Sequence, residues 1–379
     1  MTTSKTRCIG ILTSGGDCPG LNAAIRGITK AAIQDYGIQV VGVLDGFRGL
    51  VENRTVPLKH DNLSNVLTLG GTILGTSRDK PAKMAMGDRI MDMTDVAVQN
   101  ARANGFDCLV CLGGGGTQKN AYHLHKAGGL DVMTLPKTID NDVAGTDVSF
   151  GYDTALTIAA EAIDRLHTTA TSHDRIIIVE VMGNKAGWLA LGAGIAAGAD
   201  VILIPEIPYD IEAVKEYLIE RRRRFGKRFS IVVVAEGAVS KEEAALGARP
   251  STETLFEDED NGVFGPKLVM ESLAGRLARQ LQAMTGTEAR VTSLGHVQRG
   301  GVPTPTDRLL CTRLGVRAAD FLAKGRYNVM VAVQGRKIVS VPLAEVAGVR
   351  RTIPLKHPWL DAAMKVGTCL GVSRSELRP

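Results

Sequence analysis

Residues 8–27 read CIGILTSGGDCPGLNAAIRG, and this stretch indicates the fold class. The apolar run over residues 8–12 has the length of a buried strand, Gly15 and Gly16 mark a tight turn, and residues 21–35 have the pattern of a helix. Backbone N–H groups in such a turn can bind phosphate oxygens. A plain strand-to-helix turn explains the same letters nearly as well.

The alternation of short apolar runs and helical patterns continues along the chain. Further strands are predicted at residues 39–44, 107–112, 132–135, 175–181, 201–204 and 230–236, and a small-residue helix at 192–198. Strands spaced by helices predict an α/β fold with parallel sheets, in which ligands bind at the carboxyl ends of strands. Residues 240–262 are polar and without a clear strand, which predicts a partly flexible surface insertion.

Composition narrows the class of protein further. The 379 residues suggest two or three domains, and a net charge of +5 from scattered basic and acidic residues suits a small anionic substrate rather than nucleic acid. The absence of a long apolar run predicts no membrane partner and a cytoplasmic location. Cys108 and Cys111 lie in an apolar run, and we expect them to be buried hydrophobic residues rather than a metal or redox pair.

Two polar motifs directly follow predicted strands. Residues 112–120, LGGGGTQKN, hold four consecutive glycines, whose entropic cost is usually offset by close approach of a ligand to the backbone. Residues 136–142, PKTIDND, place Asp140 and Asp142 beside Lys137. Phosphoryl transfer needs a base at the attacking hydroxyl and a divalent cation on the phosphates, and the two carboxylates could divide these roles. The alternatives are a flexible loop and a solvated turn with a Lys–Asp ion pair.

Several cations stand near the ends of predicted strands. Guanidinium groups match phosphate oxygens, although each one singly is more often part of a surface ion pair. The set comprises Arg78, Arg175, Arg290, His296 and Arg299, together with the carboxylate of Glu236.

Together these motifs resemble the 6-phosphofructokinase family. The matching pieces are ILTSGGDCPGLNAAIRG, GGTILGTSR, LGGGGT, PKTIDND, SHDRIIIVEVMG, LGHVQRGG and PTDR. The resemblance implies two Rossmann-like three-layer α/β domains with mostly parallel sheets. Residues 1–151 plus about 298–350 would bind the phosphoryl donor, and residues 152–297 plus about 351–379 the sugar phosphate. It also implies an active site in the cleft, and a homotetramer or homodimer with shared active sites.

The resemblance further implies roles for individual residues. Asp140 would be the general base on the 1-hydroxyl of fructose 6-phosphate, Thr138 would position the transferred phosphoryl group, Arg78 would neutralise its charge, and Asp142 would lie near Mg²⁺. The implied donor site comprises Gly15, Gly16, Arg78, Asp79, Gly114, Gly115, Gly116, Thr117 and Lys137. The implied substrate site comprises Thr138, Ile139, Asp140, Arg175, Met182, Gly183, Asn184, Glu236, Arg290, His296, Val297, Gln298 and Arg299.

Two positions bear on the metal and the donor. Gly115 stands where the family usually has an aspartate that helps to hold magnesium, so the metal would depend on Asp142, waters and donor phosphates. Gly116 leaves open the space that ATP needs, and its combination with Lys137 resembles an ATP-using branch, which favours ATP as donor. The alternatives are a pyrophosphate-dependent enzyme, a non-catalytic regulatory paralogue that binds sugar phosphate, and a lipid or nucleoside kinase that shares only the glycine loop. Sedoheptulose 7-phosphate stays open as a second substrate.

Overall fold

The structure is a computed structural model that describes residues 4–60, 63–226, 228–247 and 271–377. The chain divides into two compact units, Met1–Thr154 with Arg299–Arg351 and Ala155–Gln298 with Thr352–Pro379. It therefore passes from one unit to the other three times. The ligand expected for each domain stays a prediction.

Strands and helices alternate through most of the described chain. The strands are β1 Cys8–Thr13, β2 Gln39–Val43, β3 Thr55–Pro57, β4 Met84–Met86, β5 Arg89–Met91, β6 Cys108–Gly113, β7 Val132–Pro136, β8 Ile176–Val181, β9 Val201–Leu203, β10 Ser230–Ala235, β11 Ala289–Ser293, β12 Val329–Gln334 and β13 Lys337–Pro342. The helices are α1 Leu21–Tyr36, α2 Gly46–Val51, α3 Thr94–Ala103, α4 Gly115–Gly128, α5 Tyr152–His173, α6 Trp188–Ala196, α7 Ile211–Phe225, α8 Lys241–Ala245, α9 Leu273–Thr285, α10 Pro305–Ala323, α11 Leu343–Val346, α12 Pro358–Lys365 and α13 Arg374–Leu377.

The first unit contains a sheet whose described strands run in the order β13-β12-β7-β6-β1-β2-β3. The five inner strands pair in parallel, while β3 and β13 are antiparallel edges. The α/β class predicted from the alternation is confirmed. The antiparallel edges were not predicted, because their apolar runs are short and lie outside the strand–helix alternation.

Helices cover both faces of this sheet. On one face Leu12 joins Phe47, Val98 and Leu124 from α2, α3 and α4 in a buried cluster. Ile9 and Ile11 alternate with Leu12 and are fully buried on the other face, where α1 packs against α10.

The contact between α1 and α10 is backbone to backbone. A Cβ atom added at Gly315 would lie 2.7 Å from the Ile28 nitrogen, and one added at Gly27 would lie 3.3 Å from the Thr312 Cα. Glycine is required at Gly315 because real Cβ atoms do not approach backbone so closely.

The second unit contains a sheet of order β11-β8-β10-β9, in which every described pairing is parallel. Ile178 and Val232 face a core that α7 and α9 complete with Val214 and Leu277. On the opposite face α6 approaches β9, and a Cβ at Gly194 would lie 2.6 Å from the Ile202 side chain. Both faces of the sheet are therefore covered.

The structure bears on three local predictions: the glycine run, the small-residue helix and the surface insertion. The run of four glycines is not a loop, because Gly113 ends β6 and Gly115 already begins α4. The small-residue helix expected to hold residues 192–198 runs from Trp188 to Ala196. It stops short of Gly198, which adopts a left-handed φ of 67°. Of the predicted insertion, Ser240 caps the short helix α8, and residues 248–262 lie outside the described residues.

Two further predictions concern cysteines and the membrane. Cys108 and Cys111 are fully buried free thiols, as expected from their apolar run. None of the helices in the described part of the chain is long and apolar enough to cross a membrane.

Candidate active site

Three neighbouring strands of the first unit end side by side. The Ser14 N–H after β1 donates to the Leu112 carbonyl at 3.0 Å, and the Lys137 N–H after β7 donates to the Gly113 carbonyl at 3.1 Å. The loops that begin at Ser14, Gly114 and Lys137 are therefore held together at the carboxyl edge of the sheet, where ligands of α/β proteins bind.

The glycine run after β6 forms a helix terminus with open space around it. Among the described residues no side chain caps α4 and no acidic residue lies in its first turn. Cβ atoms added at Gly115 or Gly116 would meet nothing within 4 Å, whereas one at Gly113 would overlap the Thr117 side chain. The unsatisfied N–H groups and the positive end of the helix dipole together favour a phosphate group here.

The loop after β1 is joined to the segment that carries Arg78. Gly15 has a left-handed φ of 83°, its N–H donates to the Ser77 carbonyl at 2.9 Å, and its carbonyl accepts from Thr76 Oγ1 at 2.7 Å. The Gly15 N–H is therefore used inside the protein, while the Arg78 side chain is exposed beside this loop.

Asp79, which the resemblance places in the donor site, binds an arginine of α2. Arg48 reaches both carboxylate oxygens, with Nη2–Oδ1 at 2.7 Å and Nε–Oδ2 at 3.2 Å. These hydrogen bonds raise the pKa of Arg48. The pair holds the Arg78 segment against α2.

Two cations bind carbonyls of the same loop. The Lys137 ammonium is buried and donates to the Gly16 carbonyl, and burial lowers its pKa. Arg299 Nη1 donates to the Asp17 carbonyl at 3.2 Å. A Cβ at Gly16 would lie 2.6 Å from that guanidinium, so glycine at this position leaves the room that Arg299 occupies.

The turn that carries Asp140 is fixed by neighbouring polar groups. The Asp140 N–H donates to Thr138 Oγ1 at 3.1 Å. Asn141 adopts a left-handed φ of 53°, and its Oδ1 accepts from the Ser149 N–H at 3.0 Å. The Ser149 hydroxyl donates to the Thr138 carbonyl at 2.8 Å. The partly buried Asp140 therefore lies in a turn in which Thr138 and Asn141 are both hydrogen-bonded to Ser149.

Asp142 faces a cation of its own unit. Arg350 Nε lies 3.4 Å from Asp142 Oδ2, while burial, the larger influence, raises the pKa of the carboxyl. The described residues contain no group of three His, Cys, Asp or Glu side chains that could hold a metal ion. Magnesium is usually held by one or two carboxylates together with substrate phosphates. The single carboxylate of Asp142 therefore fits a magnesium ion that is bound to the phosphates of the donor.

The second unit gathers a smaller group at the carboxyl ends of β8 and β10. The Glu236 N–H donates to the Val181 carbonyl at 3.0 Å, next to Met182. The Gly183 N–H lies 3.4 Å from Glu236 Oε1, and Gly183 has a φ of 134° that only glycine readily adopts. A Cβ at Gly237 would overlap the Asn184 carbonyl. Met182, Gly183, Asn184 and Glu236 are therefore neighbours, and their contact with a sugar phosphate stays a prediction.

Arg175 and Arg290 lie at the other end of that sheet. Arg175 precedes β8, and Arg290 pairs in register with Ile177 at the start of β8. Both side chains bind Glu288, with Arg175 Nε at 2.6 Å from Oε2. Arg175 is separated from Met182 by the six residues of β8, or roughly 20 Å along an extended strand. Arg175 stands at the beginning of its strand, as the predicted strand over residues 175–181 has it, and Arg290 lies near the start of β11, Ala289–Ser293. Their contact with the sugar phosphate stays a prediction.

The segment from His296 to Arg299 is a short 3₁₀ helix, Gly295–Arg299. His296 and Val297 are exposed, and Gln298 is buried with its Nε2 on the Gly295 carbonyl at 3.1 Å. The last residue, Arg299, belongs to the first unit.

Three residues that support the site were not predicted. Ser149 has no sequence signal of its own. Asp307 is fully buried and accepts the N–H groups of Gly151 and Thr154, both at 2.9 Å. Its signal was the sequence Thr304-Pro305 followed by an acid, which is typical of a helix start. Glu206 in the second unit accepts from the Gly187 and Ile353 N–H groups, and burial raises its pKa.

The fold and the first unit's loops define a class of protein: an α/β protein with a helix terminus suited to phosphate at the carboxyl edge of its main sheet. Residues 8–322 match the family model described as phosphofructokinase, and the chain belongs to this family. The resemblance drawn from the motifs is therefore confirmed.

The chain is similar to relatives that use different donors. It is 52% identical over 372 residues to a protein from Propionibacterium freudenreichii named ATP-dependent 6-phosphofructokinase, covering 96% of this chain and 99% of the relative. It is 44% identical to a protein from Streptomyces coelicolor named pyrophosphate–fructose 6-phosphate 1-phosphotransferase, covering 91% and 96%. Among solved structures, phosphofructokinase from Pichia pastoris in the T-state matches with a TM-score of 0.75 and 31% identity; the match covers 96% of this chain and spans 37% of that longer one.

Proposed function

We propose that this protein is an ATP-dependent 6-phosphofructokinase that converts fructose 6-phosphate to fructose 1,6-bisphosphate in glycolysis. The observation that carries the proposal is the placement of the Asp140 turn beside the open N-terminus of α4, on adjacent strands β7 and β6. A base and a phosphate cradle on neighbouring strand ends are what transfer of a phosphoryl group to a hydroxyl requires. The cytoplasmic location expected from the sequence stays a prediction.

The transfer follows from the roles of these residues. Asp140 takes the proton of the sugar's 1-hydroxyl as that oxygen attacks the γ-phosphorus of ATP, and the bond from phosphorus to the bridging oxygen of ADP breaks. The α4 terminus and Arg78 bind oxygens that gain charge during the transfer, and Thr138 positions the group. A magnesium ion on the donor phosphates would supply further charge neutralisation, and Asp142 is the residue of this chain that would help to hold it.

The choice of ATP over pyrophosphate rests on Gly116. Open space at this position leaves room for the α-phosphate that pyrophosphate lacks. The relative from Streptomyces coelicolor keeps the pyrophosphate-dependent reaction as the second candidate. Product formation should be measured in parallel with each donor, with and without magnesium. Activity with pyrophosphate and none with ATP would replace the proposed donor.

A non-catalytic sugar-phosphate-binding paralogue is the remaining alternative, because Gly115 stands in place of a metal-binding acid. The same assay separates it from an enzyme: binding of fructose 6-phosphate by calorimetry without product from either donor would favour it. Product with either donor would exclude it.

We further propose a homo-oligomer with shared active sites. Arg175 and Arg290 lie at the opposite end of the sheet from Glu236, so one chain does not gather all the residues expected around the sugar phosphate. A second copy that contributes its arginines would complete each site, as symmetric oligomers allow.

Subunit mixing tests this arrangement. At fructose 6-phosphate well below the parental KM, Asp140→Asn and Arg175→Gln should each have little activity, yet a mixture refolded or co-expressed in equal amounts should recover about a quarter of the parental activity if pairs form at random. Mixing Asp140→Asn with Thr138→Val, two changes in the same loop, is the control and should recover none. Equal behaviour of both mixtures would contradict shared sites.

A further inference from the structure

A groove in the first unit is lined by none of the residues assigned above. It runs between α10 and the edge strand β13 and has a volume of about 830 Å³. This is within the range of cavities that hold small molecules. Its lining contains no residue of the predicted donor, sugar or metal sites.

The groove concentrates positive charge. Arg313, Arg317, Arg326 and Lys337 line it against one carboxylate, Asp320. Asp320 is already bonded to Arg317 at 3.1 Å and to the Tyr36 hydroxyl at 2.8 Å. Within the residues that the structure describes, the other three cations have no carboxylate partner. Concave sites lined by one sign of charge attract ligands of the opposite sign.

The guanidinium groups are held in place before any ligand arrives. Arg317 and Arg326 both stack on Phe321, with their Cζ atoms 4.7 Å and 5.3 Å from the ring centroid. Phe321 is buried, so the ring is a fixed support. Arg326 Nη1 also donates to Ser340 Oγ at 2.9 Å, and Arg313 Nη2 to the Arg336 carbonyl at 2.9 Å.

This arrangement leaves hydrogen-bond donors for a ligand. A guanidinium has five N–H donors, and Arg313 and Arg326 each use one in the bonds above. Side chains that are ordered in advance lose less entropy on binding, which raises affinity.

We propose that this groove is a binding site for a small molecule that carries phosphate groups. Planar forks of donors match phosphate oxygens, and three unpaired cations suit two or more phosphate charges. Val316 and Ile338 in the lining provide apolar contact for the rest of such a molecule. The proposal does not depend on the donor or the sugar of the proposed reaction.

Hydrogen–deuterium exchange of the intact protein tests the site with pyrophosphate, ADP and fructose 6-phosphate as separate probes at about 0.15 M salt, where charges beyond about 8 Å are screened. We expect at least one probe to protect peptides over residues 312–326 and 337–342. The double variant Arg313→Gln/Arg326→Gln should lose this protection and bind about 100-fold more weakly there, while protection over residues 113–120 by the same probe is unchanged.

The control is Arg7→Gln/Arg89→Gln, which removes the same charge from exposed arginines elsewhere in the first unit. It should behave as the parent. Lys337→Gln removes a charge but no stacked side chain and should weaken binding about 10-fold. It provides a second test of the site if the double variant does not fold. The proposal is overturned if no probe protects the groove, if protection survives in the double variant, or if it occurs only at low salt. Which probe protects identifies the phosphate carrier.

Discussion

The two sheets differ in which ends of their parallel strands carry the predicted site residues. In the first unit, the loops after β1, β6 and β7 hold the predicted donor residues and the predicted base at one edge. In the second unit, Glu236 and Gly183 follow the strands, whereas Arg175 and Arg290 stand near their beginnings. The first set lies together within one chain, while the second set is divided between the two ends of its sheet, which is the observation behind the proposed shared site.

The largest expected loss of activity follows a substitution at the carboxyl edge of the first unit's sheet. Asp140→Asn removes the base and should lower kcat by about 10²- to 10⁴-fold, the usual contribution of general-base catalysis. Steady-state kinetics with saturating donor and sugar phosphate would measure it. Asp88→Asn, at an exposed turn, is the matched control and should be unchanged. Equal turnover of both variants would remove the chemical step from this edge.

A smaller effect is expected at the beginning of the second sheet. Arg175→Gln should raise the KM for fructose 6-phosphate about 10- to 100-fold, the loss of one or two charge-assisted hydrogen bonds, and leave the KM for the donor unchanged. Arg228→Gln, which breaks a surface pair with Asp174, is the control. If the donor KM rose instead, the assignment of this end to the sugar phosphate would be wrong.

The choice of donor can be tested with two substitutions at the start of α4 in the first unit. Gly116→Asp should lower kcat/KM for ATP about 10-fold or more by placing a carboxylate in the space of its α-phosphate, with fold stability retained because the position is open. Gly115→Asp adds the same charge one residue earlier and serves as the comparison, since it returns a possible metal ligand. Unchanged use of ATP by Gly116→Asp would exclude the steric explanation.

Ser149 tests whether the turn around Asp140 must be held. Ser149→Ala removes the hydroxyl that binds the Thr138 carbonyl, and we expect kcat to fall about 5-fold with little change in either KM. Ser172→Ala, whose hydroxyl only returns to its own helix, is the control. A change confined to thermal stability would make Ser149 structural only.

The smallest effect is a pH dependence of stability. Burial raises the pKa of Asp307, so the folded state binds its proton more tightly than the unfolded state does. Its contribution to stability is therefore full below about pH 4 and declines as pH rises through the raised folded pKa. Thermal unfolding of the parent and of Asp307→Asn from pH 4 to 8 should show the parent losing stability relative to the variant. A constant difference would contradict the raised pKa.

The sequence predicted the strand ends well because buried parallel strands are continuous apolar runs followed by ligand-binding turns. It placed Asp140, Gly183 and Glu236 on the correct loops. It could not predict that Lys137 donates to the Gly16 carbonyl or that Arg48 forms an ion pair with Asp79. In each pair the two residues are far apart in the sequence. The predicted strand over residues 175–181 places Arg175 at its beginning, but no strand was predicted over residues 289–293, so the position of Arg290 near the start of β11 was not foreseen.

The contact of α1 with α10 has a consequence for genetic screens. Gly27 and Gly315 meet where even a methyl group disturbs the backbone, and α1 and α10 begin directly after the loops that hold Gly16 and Arg299. Random mutagenesis scored by growth would record Gly315 as essential, although the contacts that require glycine there are with α1 and not with the predicted site residues. Loss of function at such positions reports on the scaffold and should be separated from loss of chemistry by measuring how much folded protein each mutant strain contains.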